Sequence, residues 1–83
     1  MATVDRRNGM RAAIHSNDHT PPNVHVIGGG REAVFEFDCR SRTVRLRDNF
    51  SGFRISELND FEQWLVEILD ALCAKWREIH GDN

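Results

Sequence analysis

Residues 15–27, HSNDHTPPNVHVI, place three of the four histidines of the chain, His15, His19 and His25, within eleven positions around a Pro-Pro step. Neutral imidazole nitrogens are ligands of intermediate softness. Three of them beside Asp18 therefore suit zinc or another divalent ion, and leave a fourth position for water. The same set offers a general acid and base near neutral pH, with His19 and His25 as the catalytic candidates. A third reading is structural: Asn17 and Asp18 bond the turn's backbone, His19 packs on Pro21, and His15 and His25 are partly solvated. The spacing matches no established metal signature, so the sequence leaves the three readings open.

A second constellation is Arg40, Arg42, Arg45 and Arg47. Alternation places Arg45 and Arg47 on the face of His25, where with Arg11 they offer a basic stripe to a phosphate backbone. Glu36 opposite Arg45, and the absence of interleaved exposed aromatics, favour a solvated face with cross-strand ion pairs. The glycines of GGGREA lead into another strand rather than a helix N-terminus, so they read as a hairpin turn and not as a phosphate loop.

These side chains need a sheet to position them. Met10, Ala12 and Ile14 alternate with Arg11, Ala13 and His15, which predicts a strand over 10–15 with one buried face. The prolines and small polar residues of SNDHTPPN interrupt it, and further strands follow over 24–27, 32–38 and 43–47. Loops at 28–31 and 39–42 set Val26 opposite Ala33, His25 opposite Val34 and Val24 opposite Phe35. They also set Phe37 opposite Val44, Glu36 opposite Arg45 and Phe35 opposite Leu46. Both hairpins then share one apolar face. Extending the argument to the first hairpin sets His15 opposite His25 on the outer face, with His19 and Asp18 in the loop at that end.

From Ser56 to about His80 the period changes to that of an amphipathic helix, with its stripe running from Leu58 through Trp64, Leu72 and Trp76 to Ile79. Ser56 is the expected N-cap, Asn59 with Glu62 a competing one, and Gly81 the expected stop. A straight helix over 56–80 is about 36 Å long, longer than the strands beneath it, so Trp76 and Ile79 are expected to protrude. Phe50, Phe53 and Ile55 of NFSGFRI are expected to plug the edge of the core.

At 83 residues the chain forms one domain, 1–83, with modest stability unless a metal, disulfide or partner adds to it. Nine arginines against six carboxylates precede Ser56, and two basic residues against seven carboxylates follow from there, so a basic sheet region precedes an acidic helix. No apolar run reaches the roughly 20 residues of a membrane span, and the first ten residues lack the apolar stretch of a signal peptide. The expected location is cytoplasmic, with Cys39 and Cys73 reduced and unpaired.

The segments SNDHTPPNVHV, GGREAVFEF and NFSGFRISEL, with a tryptophan near the end of the helix, resemble a family of small bacterial proteins known only as a domain of unknown function. Its members typically carry an S-N-D-H-x-P-P-H-V-H-V segment, a strand with an E-A-x-F core and a G-F-S-x-x-E-L lead into a final helix. The likeness covers nearly the whole chain, and the histidine-proline segment is its most specific part. It implies a place in a two-gene cassette beside another small protein, and with it a toxin–antitoxin role. Asn23 stands where the pattern has its first histidine of the H-V-H step, leaving His19 and His25 as the matching imidazoles. Asparagine is a poor zinc ligand but still donates and accepts hydrogen bonds.

The resulting expectation is an α+β domain: a mostly antiparallel four-stranded meander with one long C-terminal helix on its apolar face. Its expected function is that of a non-enzymatic interaction module, toxin–antitoxin-like, binding a second small protein, a second copy of itself or a nucleic acid, with no membrane role and no required cofactor. Asp18, His19, Asn23 and His25 form its recognition edge, Arg45 and Arg47 are further binding candidates, and the helix end offers a partner surface. One alternative is a ribonuclease-like toxin, in which His19 or His25 is general base on a ribose hydroxyl and Arg45 or Arg47 stabilises the phosphorane. Another is a protein that binds zinc or a similar divalent ion through His15, His19 and His25.

Overall fold

In the computed structural model, which describes residues 1–81, the chain folds as β1 (Ala2–Arg7), β2 (Met10–Ile14), β3 (Asn23–Gly28), β4 (Arg31–Asp38), β5 (Thr43–Asn49), α1 (Ile55–Glu67) and α2 (Leu69–His80). The strands make one antiparallel sheet in the order β1-β2-β3-β4-β5. The α+β class and the meander are as expected, but there are five strands rather than four and two helices rather than one.

The additional strand is β1, joined to β2 by Asn8-Gly9, both at positive φ (52° and 80°). That backbone geometry matches the right-handed twist of paired strands, and Asn-Gly adopts it readily. A bulge between Thr3 and Asp5 breaks the alternation of β1, which hides the strand in the sequence. The two central hairpins keep the expected pairs, including His25 with Val34, Glu36 with Arg45 and Phe37 with Val44.

Both helices cover one face of the sheet. Ala12, Ile14, Val24, Val26, Ala33, Phe35, Phe37 and Val44 meet Trp64, Leu65, Leu69, Leu72, Cys73 and Trp76 there. The helical ladder is interrupted at Ile68, a single residue with φ −102° and ψ 17°. The expected protrusion does not occur: Trp76 is only 5% exposed, and Ile79 packs against the core. Ser56 is not the cap. The cap is Arg54, whose backbone N–H donates to the Glu57 carboxylate at 3.0 Å. Gly81 ends α2 at φ 81°, as expected.

Of the connector residues only Phe53 enters the core, edge-on to Phe61 with ring centroids 5.0 Å apart, while Phe50 and Ile55 are exposed. Leu46 pairs with Phe35 on the core face but lies on the outermost strand, beside a bulge, and is 41% exposed. Cys39 and Cys73 are bonded to each other, with Cα atoms 6.0 Å apart, instead of being free thiols. Their elements are far apart in sequence, but the β4–β5 turn meets α2 in the fold.

The edge strand β1 is fixed to α1 by the Trp64 indole N–H, which donates to Asp5 Oδ2 at 2.9 Å. This bond holds the Asp5 carboxyl below its ordinary range. Its contribution is therefore present above the unfolded value of about 3.9 and is lost as pH falls through the lower folded value. We expect Asp5→Ala to cost about 1–3 kcal/mol by leaving a buried donor without an acceptor. Urea titrations followed by circular dichroism should show that deficit at neutral pH and see it shrink on acidification; equal deficits throughout would rule this linkage out.

Candidate functional site

The face of the sheet opposite the helices carries His15 and His25. In β2 and β3 the residue opposite His25 is Ala13, so His15 is not its direct cross-strand partner as expected. His15 follows the last residue of β2 but keeps the same face, two positions from Ala13. There its ring stacks on His25, with centroids 3.8 Å apart and planes inclined by 24°. The expected register was shifted by two residues, which preserves the face and brings the rings together diagonally.

His25 is held from both sides. Its Nε2 lies 3.0 Å from Asp18 Oδ2, and its Nδ1 lies 2.5 Å from Glu32 Oε2. Asp18 reaches it from the loop, whose backbone turns with Asp18 N–H donating to the His15 carbonyl. Glu32 reaches it from β4, where it pairs with Ile27, the outward neighbour of His25 along β3. One ligand atom from each of His15, His25 and Glu32 lies within 4.8 Å of the others. Burial, reinforced by repulsion from a charge on His25, holds the His15 imidazole below its ordinary value. Its Nε2 is buried without a hydrogen-bond partner.

Other expected site residues are placed differently. The side chain of His19 is exposed and lies outside this group, while its carbonyl accepts a bond from Asn23. Asn23 is only 1% exposed, and its Nδ2 donates to the carbonyls of His19 and Pro21. It therefore shapes the loop from inside. Arg45 shares the outer face and bonds Glu36 at 2.8 Å. Arg47 is the extra residue of the bulge in β5 and pairs with Asp48 at 3.3 Å. The residue sequence reasoning missed is Glu32. The register that placed Val26 opposite Ala33 already implied that Glu32 shares the face of His25.

At the same end of the sheet Pro21, Pro22, Phe37 and Trp76 line a groove of about 650 Å³, with Arg40 and Arg45 at its rim. None of the described helices is long and apolar enough to cross a membrane.

Fold and site together define a small α+β domain with helices on one face of a meander and a histidine–carboxylate group on the other. The chain belongs to the family described as "Domain of unknown function (DUF4160)", whose model matches residues 9–77. No curated protein and no solved structure matches it.

Proposed function

We propose that the chain is a non-catalytic interaction module, one half of a toxin–antitoxin-like pair. It meets a second small protein through the open face of its sheet and the loop carrying Asp18 and His19. The observation that carries this reading is one-sided covering: both helices pack on the inner face, and the outer face presents charged and polar side chains in a fixed order around the buried Ala13 and Val34. The partners within that face speak against the ribonuclease alternative. Both nitrogens of His25 already meet carboxylates, Arg45 is committed to Glu36 and Arg47 to Asp48. The histidine and the two arginines that the ribonuclease reading calls on are thus each engaged by carboxylates, while Arg11 on the same face meets only the Met1 sulfur among the described residues. The same pairing weakens the face as a nucleic-acid stripe, since each neutralised arginine is lost to phosphate contacts.

The test is a native mass spectrum of the protein purified from its own host without chelator, beside an RNA cleavage assay. A second small protein at fixed stoichiometry, with no cleavage, is the expected result. Cleavage that disappears in His25→Ala would overturn the reading in favour of an enzyme, and a bare chain would overturn the partner.

A further inference from the structure

We propose that His15, His25 and Glu32 form a binding site for a divalent ion of the zinc class, with Asp18 orienting His25 from outside the ligand set. The inference rests on the cluster's own geometry and holds with or without a protein partner. A neutral imidazole has one N–H, so His25 can donate to only one of the two carboxylates that face it. If Nε2 donates to Asp18, Nδ1 presents a lone pair to the Glu32 oxygen 2.5 Å away. Two acceptors do not hold such a contact by themselves. A proton does at this distance, and a metal ion takes its place once the two atoms part far enough to share it, each about 2.0–2.2 Å from the ion.

A metal at that point gives His25 two roles that belong together: ligand through one nitrogen, donor to a carboxylate through the other. Such outer carboxylates fix the tautomer and ring orientation of metal-binding histidines. His15 adds the third ligand. Its buried Nε2 has no competing hydrogen bond. Two imidazoles and one carboxylate within 4.8 Å are a donor set of the kind that binds zinc with one position left to solvent. The two rings stack, so capture requires the His15 ring to turn until its lone pair converges with that of His25. The outer face leaves the open position toward solvent.

The experiment is calorimetric titration of tag-free, oxidised protein with Zn²⁺ near neutral pH, so that thiolates do not compete. The expected result is one ion per chain. Asp18→Asn should weaken binding about 10- to 100-fold. His25→Ala, Glu32→Gln and His15→Phe should abolish it, the last retaining a ring in the stack. His19→Ala and His80→Ala should leave the affinity unchanged. If His25→Ala fails to fold, Glu32→Gln decides, because that side chain is 36% exposed and its change leaves the core intact. No binding, or binding that survives Glu32→Gln or vanishes with His19→Ala, overturns the site. A proton would then be the cation that holds His25 between its carboxylates.

Discussion

Joint replacement of Cys39 by serine and Cys73 by alanine is expected to lower stability by about 3–4 kcal/mol and the melting temperature by roughly 12–30 °C. The bond joins residues 34 positions apart. Without it the unfolded chain regains the freedom of a loop of that length, which sets the magnitude in the chain-entropy picture. A domain of 83 residues has about 4–12 kcal/mol in total, so this loss removes a large share of it. Melting curves of wild type with and without reductant, beside the double variant, measure it: reductant should reproduce the variant and leave the variant itself unmoved. Two alkylatable thiols in the native oxidised protein, or superimposed melting curves, would show that the bond does not contribute. The thiol count also bears on location, because a bond of this kind persists in oxidising compartments and the cytoplasm keeps thiols reduced.

Phe35→Ala should cost about 3–5 kcal/mol, whereas Leu46→Ala, at its cross-strand partner, should cost under about 1 kcal/mol. Alternation along the two strands assigns both side chains to the core face, and in the fold they do pair. Phe35 is fully buried on a central strand beneath the helices, and Leu46 is 41% exposed at the sheet's edge. Truncating Phe35 leaves a cavity that its neighbours fill only in part. Truncating Leu46 removes surface that water already reaches. Urea unfolding midpoints of the two variants check the contrast. Equal losses would mean that Leu46 is buried in solution, as an interface between two copies would make it.

The central sheet was legible because two hairpins independently assigned the same residues to one face, and cross-strand pairs such as Glu36 with Arg45 agreed with both. The first strand was not, although Asn8-Gly9 announces a tight hairpin, because the bulge near Val4 disrupts the period-2 pattern on which strand reading depends. The break at Ile68 was hidden for the opposite reason: the apolar stripe runs through it without interruption. Within the site, the shared face of His15 and His25 was readable from alternation. Glu32 followed from the same register. Asp18 reaches His25 through the path of an irregular loop, and Asn23 turns inward to shape that loop, which periodicity does not encode. The bonded cysteines are a tertiary fact, since the turn after β4 and the middle of α2 meet only once the helices lie on the sheet.

Both outermost strands carry an irregularity, β1 between Thr3 and Asp5 and β5 at Arg47. A regular border strand displays a row of unused amide and carbonyl groups that invites a neighbouring molecule's strand to extend the sheet. An extra residue twists that row out of alignment, and the arginines and aspartates of these strands add charge beside it. Growth of the sheet sideways is thus discouraged at both borders, and with it runaway stacking into fibrils. What remains for contact is the flat of the sheet rather than its borders.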